Sequence, residues 1–152
     1  MNLRGTKLNA FTLVELLVII GIIGIMLAAI TPSAAHYIKG ISLNGAAKVL
    51  SSTLREAQEK AITEQKQYFV RFTVDVTPPF YELIRINNST EEIQRKYTLK
   101  SNETLSLNPS ITSNKIAFSP DGGPSSNGDI TISNGTENKI IHITPAGFIS
   151  IQ

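Results

Sequence analysis

The chain contains no cysteine among its 152 residues. Disulfides and thiol chemistry are therefore excluded, and the redox compartment leaves no mark on the sequence. It also lacks a surplus of either charge, with 14 Lys+Arg against 12 Asp+Glu. Arg4 and Lys7 fall in the first ten residues, and without them the two signs balance at 12 each. A neutral body argues against non-specific binding to nucleic acid or to anionic lipid. There is no internal repeat, no low-complexity tract and no nucleotide-binding loop. The two histidines, His36 and His142, stand at no metal-ligand spacing and beside no nucleophile. An enzyme or ligand-binding domain would need converging acids, bases or ligands, and the sequence shows none.

What the chain does have is one unbroken apolar run, Phe11 to Ile30, with a single charge in it, Glu15. A carboxylate costs on the order of 2.5–3.5 kcal/mol at the centre of a membrane helix, and less near the interface. Such a lone acid asks for a partner, which points to assembly within a membrane rather than to simple anchoring. Twenty residues span about 30 Å, the hydrocarbon thickness of a bilayer. A secretory signal usually has a shorter apolar stretch, and a cut near Ala35 would leave Glu15 unexplained. Arg4 and Lys7 ahead of the run place residues 1–10 in the cytoplasm and the following domain outside.

Beyond the run the pattern becomes amphipathic. Ala46, Leu50, Leu54, Ala57 and Ala61 recur at three- and four-residue spacing, preceded by Ile38 and Ile41. Pro32 predicts a kink, because it removes a backbone donor and crowds the preceding turn. A helix from Phe11 to about Thr63 would be roughly 80 Å long, too long for a small domain to bury. After Gln67 the period switches to two: Val70, Phe72, Val74 and Val76 predict a strand, and Phe80–Ile86 its antiparallel return. Ile93–Leu99, Ile116/Phe118, Ile130/Ile132, Ile141/Ile143 and Ile149/Ile151 mark further strands. Pro120-Asp121-Gly122-Gly123-Pro124, Asn127-Gly128, Asn134-Gly135 and Pro145-Ala146-Gly147 are turns between the last of them. The fold class is α+β, with short strands and tight turns implying antiparallel sheet.

The string Ala10-Phe11-Thr12-Leu13-Val14-Glu15, with its basic leader, apolar span and Pro32 break, resembles the N-terminal signature of type IV pilins and type II secretion pseudopilins. Leu54-Arg55-Glu56-Ala57, Ile116-Ala117-Phe118-Ser119-Pro120-Asp121-Gly122 and Ile141-His142-Ile143-Thr144-Pro145-Ala146-Gly147 are similar to the H-type minor pseudopilins and related minor pilins. The resemblance implies a pilin fold, a long helix packed on antiparallel β-sheet. It also implies a leader 1–10, a transmembrane and assembly helix 11–31, an amphipathic helix 32–66 and a β-rich domain 67–152. A prepilin peptidase would cut between Ala10 and Phe11 and methylate the new terminus; glycine is the usual residue before that cut. Glu15 would serve assembly and Pro32 would kink the helix. The implied partners are the peptidase, other pseudopilins or pilins in a hetero-oligomeric fibre, and an inner-membrane assembly platform, with no cofactor. The implied role is that of a structural, non-enzymatic subunit of a short periplasmic pseudopilus, inserted once in the inner membrane. The alternative is a minor type IV pilus subunit involved in assembly or DNA uptake, although no basic residue follows Gly147 at the C-terminus.

Other residues have plainer readings. Gly21 and Gly24 lack the small-xxx-small spacing of close helix packing. Asp121, Asn127 and Asp129 offer oxygen ligands for calcium, but the spacing fits no known calcium loop, and turn formation explains them as well. Arg85, Arg95, Lys96, Lys100 and Tyr97 suggest a basic patch, yet Glu82, Glu91, Glu92 and Glu103 interleave with them, so a solvated mixed face is expected. His142 should face away from Ile141 and Ile143, towards solvent or a cross-strand neighbour.

Overall fold

The computed structural model describes the backbone of residues 12–152 and the side chains of 12–27 and 41–152. The leader, Ala10 and Phe11 lie outside the described residues, as do the side chains of Pro32 and His36; the helix assignment is continuous through position 32. Contacts divide the chain into two units at Ile38/Lys39. One helix, α1 (Leu13–Glu64), is followed by eight strands. These are β1 (Tyr68–Thr73), β2 (Phe80–Asn87), β3 (Thr90–Thr98), β4 (Thr104–Leu107), β5 (Lys115–Phe118), β6 (Gly128–Ser133), β7 (Asn138–Ile143) and β8 (Ile149–Ile151). They form two four-stranded sheets, ordered β3-β2-β1-β5 and β4-β6-β7-β8. Every pairing is antiparallel. The architecture is the α+β arrangement that the switch of period implies.

One stripe of α1 joins the sheets into a single core. Leu43, Ala47, Leu50, Leu54, Ala57 and Ala61 are fully buried, and their alternating spacing of four and three keeps them on one helical face. Against them lie Tyr68, Val70, Phe72, Leu83, Ile116 and Phe118 from the first sheet. Leu105, Ile130, Ile132, Ile141, Ile143 and Ile149 come from the second. The paired isoleucines of the last third of the sequence are thus mostly inward positions two apart, as strand geometry requires. Alanines at 47, 57 and 61 let the sheets approach the helix between the leucines.

The register of this stripe differs from the predicted one. Ala47 rather than Ala46 is the fully buried alanine, Ala46 packs at its edge, and Ile41 is 55% exposed. β1 also begins earlier and ends earlier than expected. It runs Tyr68–Thr73, with Val70 and Phe72 inward and Phe69 outward in a small cluster with Ile84 and Ala117. Val76 lies beyond the strand and is exposed. β4 was not anticipated: it is four residues long, and only Leu105 is fully committed to the core. The bulge between β2 and β3, where Leu83 faces Arg95 and Ile84 faces Ile93, breaks the alternation that makes a strand readable.

Because Leu54 meets both sheets' common core, Leu54→Ala should cost about 2–5 kcal/mol of unfolding free energy. Chemical denaturation of the detergent-solubilised chain, followed by far-ultraviolet circular dichroism, measures this. A change below about 1 kcal/mol would show that the helix face is not the shared core.

Candidate functional site

The first candidate surface is the apolar segment at the start of α1. Every large apolar side chain from Leu13 to Leu27 is exposed, from 41% at Ile19 to 79% at Leu13. A helix apolar on all sides has no place in water and must be covered by lipid or by other chains. Among the described residues no helix is long and apolar enough to cross a membrane.

Glu15 occupies the N-terminus of this segment. Its backbone N–H donates to Thr12 Oγ1 at 3.2 Å, while Thr12 N–H reaches back to Glu15 Oε2 at 3.5 Å. Thr12 thus caps the helix and Glu15 sits three residues later, which is the reciprocal capping box. The acid also lies where the helix dipole favours a negative charge. The motif Thr12-Leu13-Val14-Glu15 was legible in sequence as S/T-x-x-E, a signal hidden by the apolar residues around it. At 3.5 Å the carboxylate's own capping contact is long.

The second candidate is a corner where three separated sequence motifs meet. Gln58 Nε2 on α1 donates to the Gly122 carbonyl at 2.8 Å, and Arg55 Nη2 donates to the Ile149 carbonyl at 2.7 Å. Gly122 and Gly147 both adopt positive φ, +85° and +82°. A Cβ at Gly147 would stand 2.5 Å from Gln58 Nε2 and 3.2 Å from the Gly122 carbonyl oxygen. Glycine is needed here for both backbone conformation and close approach. The helix motif, the Ser119–Gly123 turn and the Thr144–Phe148 turn therefore form one clamp holding both sheets to α1. Gln58, the residue at its centre, was missed because its role is set by tertiary contact and nothing in its local pattern marks it.

The remaining candidates separate. Arg85 pairs with Glu92 at 2.5 Å and with Glu64 at 3.4 Å. Arg95 pairs with Glu56 at 3.2 Å, Lys96 with Glu82 at 3.8 Å, and Arg71 with Glu91. The mixed face expected from the interleaved charges is thus a set of ion pairs. The Tyr68 hydroxyl, helped by Arg85, holds Glu64 below the ordinary carboxylate value. The Asn87 amide and then Arg85 do the same for Glu92. His142 faces away from the core and meets Asp129 across the strands at 2.5 Å, a cross-strand role. Asp121 instead accepts from the Gly123 N–H within its own turn. Asp121 and Asp129 are thus each engaged elsewhere, and among the described residues no group of three or more His, Cys, Asp or Glu is placed to hold a metal.

Comparison with known proteins gives these features a context. The family model for the type II transport protein GspH matches residues 46–147, more than half of the chain, and the chain belongs to that family. Comparison with curated protein sequences gives no match. The minor pseudopilin EpsH from the type 2 secretion system of Vibrio cholerae superposes with a TM-score of 0.61 at 15% identity, over 73% of this chain and 96% of that one. The type IV minor pilin FimU of Pseudomonas aeruginosa PAO1 superposes with a TM-score of 0.63 at 16% identity, over 76% and 92%. At such identities the likeness is one of fold, and the fold is that of the pilins and pseudopilins. The family match takes in the Arg55–Gln58–Gly122–Gly147 clamp and does not reach Glu15.

Gly147→Ala forces a strained φ and displaces Gln58, so it should lower stability by about 1–3 kcal/mol, measured by denaturant unfolding; an unchanged midpoint would remove the clamp. Glu64 and Glu92 titrate below their unfolded values. Their stabilisation is therefore complete above the ordinary carboxylate range and is lost as pH falls through the lowered folded values. Arg85→Met should flatten the acid side of a plot of melting temperature against pH, and an identical acid slope would contradict this.

Proposed function

We propose that the chain is a structural minor pseudopilin of a type II protein secretion system. It is inserted by the Phe11–Ile30 segment with residues 1–10 in the cytoplasm and the β-rich domain in the periplasm. Prepilin peptidase cuts between Ala10 and Phe11 and methylates Phe11, and the product joins other pseudopilins at an inner-membrane assembly platform. The extraction energy comes from a partner ATPase. The observation that carries this reading is the exposure of every large apolar side chain from Leu13 to Leu27, with Glu15 the one charge among them.

In the isolated chain Thr12 caps the helix and the carboxylate of Glu15 makes only a long return contact to it. Cleavage creates an ammonium at Phe11, about 6 Å along the axis from Glu15. When helices stagger in a fibre, Glu15 meets the ammonium of a neighbour, and both charges are neutralised where water is scarce. Such a pair need not add net stability, but leaving either partner alone is costly, so it sets the register between subunits. Lipid covers the apolar surface before extraction and neighbouring helices cover it afterwards.

A second reading, a minor type IV pilus subunit, is supported by the fold's equal likeness to FimU. Its DNA-binding form is disfavoured by the pairing of Arg71, Arg85, Arg95 and Lys96 with acids. A salt-sensitive gel shift with the detergent-solubilised chain would favour it nonetheless. Glu15→Leu should abolish incorporation into sheared fibres while leaving the chain in the membrane fraction. Normal incorporation of that variant would overturn the assembly role of Glu15.

A further inference from the structure

Among the described residues, Glu103 is the one charged side chain in the buried class, 3% exposed, and no role given above uses it. It closes the turn between β3 and β4. Its N–H donates to the Lys100 carbonyl at 2.9 Å, and its Oε2 accepts the Lys100 N–H at 3.2 Å. Oε1 accepts the hydroxyl of Ser42 on α1 at 3.0 Å. Both donors are neutral, and a carboxylate can accept about four hydrogen bonds.

The distribution of charge is inverted here. More exposed acids such as Glu56, Glu82, Glu91 and Glu92 have basic partners. Glu103, the acid most removed from water, has none among the described residues. A buried carboxylate without counter-charge is unfavourable. The hydrogen bonds alone do not require the charge: a glutamine amide could accept from Lys100 N–H and donate to Ser42 Oγ.

Beside this carboxylate lies a cavity of about 220 Å³, smaller than the roughly 300–1,000 Å³ typical of small-molecule sites. Its walls are Ala46, Val49, Leu99 and the stacked rings of Tyr81 and Tyr97, whose centroids are 5.1 Å apart. Glu103, Ser42, Thr98 and Lys100 complete its lining, and Lys100 forms no ion pair with Glu103, leaving that carboxylate open to a second cation. A long basic side chain matches both parts: the aliphatic stem suits the apolar walls and ring edges, and the cation suits the carboxylate; the Tyr97 ring already carries Arg95 of this chain, 5.9 Å from its centroid.

We propose that this cavity receives a lysine or arginine side chain of a partner protein, with Glu103 as its counter-charge. The inference is independent of whether the fibre is a pseudopilus or a pilus. The full chain in detergent micelles is titrated with N-acetyl-arginine methylamide and with its uncharged citrulline counterpart, following the ring signals of Tyr81 and Tyr97 by nuclear magnetic resonance. The arginine probe should bind saturably at millimolar concentration, at least tenfold more tightly than the citrulline probe. Glu103→Gln should weaken it at least tenfold with an unchanged melting temperature. Should that variant fail to fold, Val49→Trp keeps the carboxylate and fills the cavity, and should abolish binding. Equal binding of the two probes, or binding unaffected by these variants, would overturn the proposal. So would absence of binding by the parent chain.

Discussion

The domain depends on one packing event, the burial of a single helical stripe between two antiparallel sheets. Leu43, Ala47, Leu50, Leu54, Ala57 and Ala61 meet inward residues of both sheets, and no second core of comparable size exists among the described residues. Each sheet has only four strands, and neither could bury its inner face without α1. Burial at about 25 cal/mol per Å² of apolar surface is what offsets the ordering of so many short strands. The polar contacts from the helix then select one docking among those the apolar stripe would tolerate. Arg55 fixes β8, Gln58 fixes the turn after β5, and Ser42 fixes the turn before β4.

The two parts of α1 follow opposite rules. From Leu43 onward the helix is amphipathic and its apolar face is satisfied within the chain. From Leu13 to Leu27 its large apolar side chains are all exposed. That contrast separates a stable domain from a segment whose free energy is settled elsewhere, in lipid or among other helices. Glu15 carries a local role in capping and, in the proposed fibre, a role between molecules. The local role is favoured because the acid lies beside the helix's positive end.

Much of the fold was legible where periodicity is long or strong. The recurrence of Leu50, Leu54, Ala57 and Ala61 defines the buried face, and isoleucines two apart define β6, β7 and β8. What escaped was short or tertiary. Thr104–Leu107 is too brief for its alternation to stand out between Ser, Asn and Pro residues. Ala46 and Ala47 are indistinguishable by residue type, so only the docked helix tells which one is central. Gln58 and Glu103 matter because of Gly122, Gly147 and Ser42, partners more than sixty residues away or approached only through the folded loops. The capping box at Thr12 and Glu15 was written in the sequence, but the hydrophobic run around it directed the reading of Glu15 towards other molecules.

The membership of the chain in the GspH family rests on residues 46–147, whereas the account of assembly rests on Phe11 and Glu15. Those two halves meet in one observable. Mass analysis of the processed chain's amino terminus, isolated from membranes of the native host, tests the central claim most directly. The account predicts a chain that begins with N-methylated Phe11. A chain that retains Met1, or one that begins near Ser33, would leave Glu15 without its intermolecular partner and contradict the claim.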